Sequence, residues 1–327
     1  MNKFARLTQI LKKVLYSIAL PVGVIVFLGL FRPDVYFQPQ TWLMLFTQAI
    51  PYALIGWAMV FGISVGLFDF SVGSIVILAG LVGIQASQYL GLPGFIFGTI
   101  LSAILMGLFT GGIFAALKIP SIITGFAALL IFESLATMYQ KTFDVIVTNQ
   151  LKVFGQTPGI YIVGAVAFVL VYVLFNSTKF GYQIKAIGGN EAVAKTMGIN
   201  SMALKLGTYL VSGVFLGIAT LVKVGYQGTA LAVTNMQSMT QVFTPMMGVL
   251  IGMFIGSCNP IIGVFIGELT ITTVSSGLVA MGIESRLQNV VVGVFLLVFI
   301  GLKLNSESLD LKKLFTKKKT VTLPEGE

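Results

Sequence analysis

Residues 72–90 read VGSIVILAGLVGIQASQYL, nineteen positions without one charged side chain. As a helix rising about 1.5 Å per residue, such a run covers most of the roughly 30 Å hydrocarbon core of a bilayer. A surface helix of a water-soluble domain is apolar along one stripe, whereas this run is apolar almost all round. It therefore reads as a membrane span. The same reading recurs at 14–30, 42–66, 93–117, 119–139, 159–176, 204–222, 241–257, 260–281 and 287–304, making ten spans in all. The expected fold class is an all-α polytopic membrane protein of about ten transmembrane helices. Residues 14–304 are expected to form a single transmembrane domain between a cytoplasmic N-terminus at 1–13 and a basic cytoplasmic tail at 305–327. Adjacent runs almost touch near 117–119 and 257–260, so short or broken helices are expected there, where protein or a cavity must cover the backbone.

Composition points the same way. Of 327 residues 56% are hydrophobic and 9% charged, against about a quarter charged in soluble domains. Such a chain has to be solvated by lipid. The absence of His removes Ser-His-Asp and Cys-His triads, HExxH zinc sites and imidazole relays. A single Cys, Cys258, excludes an internal disulfide and a Cys-rich metal centre. No nucleophile–base pair stands out, so an enzyme is not expected, nor is a metal or cofactor. No Gly-x-x-x-x-Gly-Lys-[Ser/Thr] occurs, so any ATP hydrolysis belongs to another chain. Glycine, at 37 residues, recurs at helical spacing in Gly107/Gly111, Gly213/Gly217, Gly248/Gly252 and Gly263/Gly267, as close helix–helix contact requires.

The basic residues orient the map. With the N-terminus cytoplasmic, ten spans return the C-terminus to the same side, and fifteen of the 20 Lys and Arg then lie inside. Arg32, Lys141, Lys152, Lys223 and Arg286 lie outside. That is the bias of the positive-inside rule. The expectation is a multi-pass plasma (inner) membrane protein with both termini cytoplasmic. The net charge of +9 fits contact with anionic lipid headgroups; without an aromatic-interleaved basic stripe it does not suggest nucleic acid. The first span follows a basic segment but lacks an A-x-A-like cleavage site, so it is expected to be retained.

One long inside loop, Asn176–Lys205, interrupts the apolar runs. Asn190 suits a helix N-cap, Glu191 the positive end of a helix dipole, and Gly198 a C′ stop. About two turns of helix are expected across the cytoplasmic face, either as a connector resting on its own bundle or as a docking helix for a cytoplasmic partner. Phe180-Gly181-Tyr182-Gln183-Ile184-Lys185-Ala186-Ile187-Gly188-Gly189-Asn190-Glu191, followed by Ala194, Gly198 and Ile199, resembles the cytoplasmic loop of ribose-type ABC importer permeases. That family serves ribose, other monosaccharides and a furanosyl autoinducer. A second match is Asp69-Phe70-Ser71-Val72-Gly73-Ser74, similar to the family's D-L-S-V-G-S run. Lys118-Ile119-Pro120-Ser121 and the approach to the seventh span add support, and the resemblance covers about 40–300.

The resemblance implies the architecture of a type II ABC importer permease, working with a second permease subunit, cytoplasmic ABC ATPase subunits and an extracytoplasmic solute-binding protein. It makes Asn190, Glu191, Ala194, Gly198 and Ile199 the ATPase-coupling helix, with Val193 where the family usually has Ala. Asp69, Ser71, Gly73 and Ser74 become a structural or gating motif. Thr240 to Pro260 departs from the family, with fewer glycines and no carboxylate, which suggests pairing with a more regular permease as a heterodimer rather than a homodimer.

Acids inside the spans mark function because burying them is costly. Asp69 is expected to cap the third span and position its loop. Glu133 and Glu268 are each expected to pair with a hydroxyl or backbone group, to line the solute route, or to relay protons. Two outside segments, Gln140–Pro158 and Lys223–Met239, offer polar groups such as Asn235 to a soluble partner or solute. An ATP-driven importer of a small sugar-like solute is the leading function; a nucleoside importer, a proton-coupled secondary transporter and a membrane scaffold are the alternatives.

Overall fold

The computed structural model describes residues 19–143, 145–255 and 259–306. The expected N-terminal segment 1–13, Asp144, Cys258 and the tail from 307 onward lie outside the described residues.

Helices follow the predicted runs closely. They are α1 (Ala19–Phe31), α2 (Pro33–Tyr36), α3 (Pro39–Ser64), α4 (Val72–Leu117), α5 (Ser121–Thr142), α6 (Gly159–Ser177), α7 (Lys179–Gly189), α8 (Glu191–Thr196), α9 (Ser201–Gln227), α10 (Thr240–Phe254), α11 (Pro260–Ala280) and α12 (Ser285–Ser306). Six of them, α3, α4, α5, α6, α9 and α11, are long and apolar enough to cross a membrane. The 46-residue α4 holds two predicted runs, divided at Gly91, whose φ of 62° and ψ of −144° are non-helical. Among the described residues there is no strand. The predicted runs 14–30, 241–257 and 287–304 correspond to α1, the short α10 of 15 residues and α12.

Helix ends obey local chemistry. Pro39 and Pro260 occupy first-turn positions, where the missing N–H is not needed. After α3, Gly66 at φ +77° lets Leu67 N–H reach the Gly62 carbonyl, and a left-handed residue closes the helix. The long loop 176–205, expected to lie inside, contains more helix than expected. Its first part is α7, with Thr178 capping the Gly181 N–H at 3.2 Å and with Ile184 and Ile187 buried.

Packing centres on α3, α9 and α11, the most buried of the spans. α4 crosses α9 where Gly107 meets the Tyr209 carbonyl and Gly213. α10 crosses α11 glycine on glycine, Gly252 at Gly263 and Gly248 at Gly267, so that a side chain at any of the four would overlap backbone or the Glu268 carboxyl. Trp57 on α3 donates to the Ile261 carbonyl at 2.9 Å. Phe61 packs against Phe175, Phe180 and Phe215, joining α3 to α6, α7 and α9.

Candidate functional site

Three groups of residues carry the expected chemistry. The first is the short helix α8. Asn190 caps it by accepting from the Val193 N–H at 3.1 Å. Gly198, at φ +82°, ends it: its N–H reaches Lys195 and the Ile199 N–H reaches the Ala194 carbonyl, the paired bonds of a Schellman stop. Glu191 does more than face the helix dipole. Its carboxylate accepts from Ser201 Oγ at 2.7 Å and pairs with Lys195 at 2.9 Å and Lys205 at 3.0 Å, tying α8 to α9. The Ser201 hydrogen bond and the two ammonium groups hold the Glu191 carboxyl down at about 2. Ala194 is buried against the bundle, whereas Val193 and Met197 stand exposed on the outer side. A groove of about 430 Å³ runs between α8 and α9, past Glu191, Gly198, Ile199 and Lys205. The sequence reading missed the outward position of Met197, although its spacing from Val193 is that of one helix face.

The second group surrounds the start of α4. Asp69 Oδ1 accepts from the Ser71 N–H at 2.8 Å and the Ser71 hydroxyl at 2.6 Å. Asp69 therefore holds the turn ahead of the helix, and the side chain of Ser71 makes no cap bond. Ser74 Oγ turns back to the Ser71 carbonyl at 2.8 Å. α5 presses on this turn through Gly125, and Ser121 Oγ accepts from Phe68 N–H at 3.1 Å.

The third group unites residues that the sequence reading kept apart. Between α9 and α10 the chain leaves the α-helix: Asn235 and Met236 are both at positive φ, and a 3₁₀ turn at Gln237–Met239 leads into α10. Glu133 on α5 grips this turn: its two carboxylate oxygens accept from Met236 N–H at 2.9 Å and Ser238 N–H at 2.8 Å. One turn-pair further along α5, Gln140 accepts from the Ala232 N–H at 2.6 Å. Gly73 leaves room for the Ser238 carbonyl, where a side chain would overlap it. Glu133, Asn235 and Gly73 thus meet at one turn, and the pairing of Glu133 is with backbone. Asn235 itself is exposed. The two expected outside segments pack on each other here, with Gly155 close against Tyr226.

Glu268 stands elsewhere, fully buried on α11 in the space left by Gly56 and Gly248. Neither carboxyl oxygen finds a hydrogen-bond partner among the described residues, so the pairing expected for it is not formed there. No group of three metal-ligating side chains occurs among the described residues.

Comparison with known proteins follows the same outline. The family model described as branched-chain amino acid transport system / permease component matches residues 41–300. A galactose/methyl galactoside import permease protein of Haemophilus influenzae is 24% identical over 60% of this chain and 62% of its own length. The match to that relative thus spans less than two thirds of it. A D-allose transport system permease protein of Escherichia coli is 27% identical over 85% of this chain and 88% of its own. A ribose import permease protein of Bacillus subtilis is 28% identical over 84% of this chain and 88% of its own. No solved structure matches the chain. The resemblance read from the 180–199 loop and the Asp69–Ser74 run is borne out. With 260 of its residues inside the family's bounds and its helices where the apolar runs place them, the chain is a multi-pass membrane protein of the branched-chain amino acid transport system / permease component family.

Proposed function

We propose that this chain is the transmembrane permease subunit of an ATP-driven importer, carrying a small sugar-like solute into the cytoplasm by alternating access. The observation that carries this reading is α8: a helix too short to persist alone in water, yet capped at both ends and riveted to α9 by Glu191, with Val193 and Met197 turned outward. That is the form of a rigid docking element. A separate ABC ATPase engages it, and α7 and α9 pass the ATPase movement into the bundle. Residues 14–304 act as one transmembrane domain, with the α7–α8 face, both termini and fifteen of the 20 basic residues cytoplasmic. A second permease subunit, in a heterodimer, and an extracytoplasmic solute-binding protein complete the assembly. The sugar permeases among its relatives support the solute class.

The test is uptake of labelled monosaccharides into vesicles carrying the assembled complex. Replacing Glu191 with Ala and Gly198 with Val together should leave ATP hydrolysis in place while uptake falls at least about tenfold. Wild-type coupling in that double variant overturns the docking role. A proton-coupled reading is favoured by Glu268, which has no hydrogen-bond partner among the described residues, and uptake that collapses with a protonophore but ignores ATP would establish it instead.

A further inference from the structure

A recess bearing polar side chains opens between α3 and α9. It has a volume of about 250 Å³ and is lined by Gln48, Tyr52, Lys223, Tyr226 and Gln227, with Pro51 and Ile55 on its apolar side. The volume approaches the roughly 300–1,000 Å³ range of small-molecule sites, at the size of a single sugar ring. Gln48, Tyr52 and Ile55 share one face of α3, and Lys223, Tyr226 and Gln227 share one face of α9. Polar residues thus repeat at helical spacing on one side of each of the two spans. Lys223, expected just outside the 204–222 run, lies within the last turns of the longer α9, and a cation at the edge of a span is costly enough to mark function. Lys223 donates to Gln241 Oε1 at the start of α10 and makes no ion pair among the described residues. An ammonium group has three donors, so this one bond leaves two.

We infer that this recess holds the transported solute within the membrane, and that the solute is a neutral, hydroxyl-rich ring. The inference rests on the permease reading and names the site that reading needs. Amides and phenols both donate and accept, as sugar hydroxyls do, and the Tyr52 and Tyr226 rings offer apolar faces to a sugar's carbon face. Lys223 donates to ring and hydroxyl oxygens and repels cations. Its place strengthens the assignment. The recess lies at the α10 end of α9, where Lys223 bonds Gln241 just past the irregular segment held by Glu133, and transporter sites are commonly built next to interrupted helices. A larger cavity of about 490 Å³ lies among Phe46, Ile50, Trp57, Tyr161, Phe168 and Phe265. Its one phenol is already bonded to Thr47, so it offers hydroxyls little.

The experiment measures ATP-dependent uptake of D-ribose, D-galactose and D-galacturonate by vesicles carrying the whole complex. Wild type should take up at least one neutral sugar, and Lys223→Met should raise its half-saturating concentration at least about tenfold with ATPase activity kept. Tyr52→Phe, which removes one hydroxyl and keeps the volume, should raise it about threefold or more. Gln241→Met breaks the Lys223–Gln241 bond without changing the recess wall, and should stay within about twofold of wild type. Sugar uptake by wild type with unchanged constants in Lys223→Met and Tyr52→Phe overturns the site and leaves the permease reading standing. An effect of Gln241→Met as large as that of Lys223→Met makes Lys223 structural and overturns it too. Preferential uptake of D-galacturonate overturns the neutral class. No uptake of any sugar by wild type overturns the permease reading, and the site with it.

Discussion

Glu133, Asp69 and Glu268 look alike in sequence as acids among apolar runs, and the structure sets the first two apart from the third. Asp69 Oδ1 and both carboxylate oxygens of Glu133 accept from backbone N–H groups that no helix satisfies, and an unmet buried N–H costs about 1–3 kcal/mol. Glu133→Ala should therefore lower the thermal midpoint of the purified protein by several degrees and abolish uptake. Glu133→Gln keeps one acceptor but turns an amide N–H toward a backbone N–H, so it should fall between Ala and wild type in the same melting assay. Glu191 supplies a pH test outside the spans. Its value in the fold, about 2, lies below its ordinary 4.5, so its bonds to Ser201, Lys195 and Lys205 stabilise α8 fully above about pH 4.5. That contribution is lost as pH falls toward 2. Amide-exchange protection of α8 should decline over this window in wild type and stay flat in Glu191→Gln.

At the scale of elements, the spans and the caps were legible because both are local. Apolar runs, Asn190 and Gly198 act within a few residues, and helices formed where they pointed. α7 was not foreseen, because its helical period rests on only Phe180, Ile184 and Ile187 behind a Thr cap, too few apolar positions to tell a short helix from a loop. The grip of Glu133 on Met236 and Ser238 joins residues about a hundred positions apart, a distance over which periodicity carries no information. The Gly91 break was legible as a division between two runs, and its geometry explains why glycine stands there. At φ 62° and ψ −144° a side chain is strained by about 1–3 kcal/mol. Gly91→Ala should lower the melting midpoint of the detergent-solubilised protein measurably, whereas Gly112→Ala, where a Cβ meets nothing within 4 Å, should not.

For the whole molecule, the proposed orientation has a direct consequence for labelling. In a Cys258→Ser background, Val193→Cys on α8 and Leu231→Cys on the far segment both stand exposed, at 53% and 60%. A membrane-impermeant maleimide should modify Val193→Cys only in inverted vesicles and Leu231→Cys only in right-side-out ones. The reverse pattern would turn the molecule over and remove α8 from the reach of any cytoplasmic ATPase.

The brevity of α10 reaches beyond transport into how the chain is made. Fifteen residues span about 22 Å, short of a bilayer core of roughly 30 Å. Ahead of α10 lie an irregular stretch and a 3₁₀ turn at Gln237–Met239, whose Ala232, Met236 and Ser238 N–H groups are met by Gln140 and Glu133 of α5. Ribosomal synthesis delivers α5 before α10, so the acceptors are in place when the turn arrives. A permuted gene that encoded α10 ahead of α5 would present the membrane-insertion machinery with bare backbone, and the newborn chain would stall as a substrate for membrane quality control.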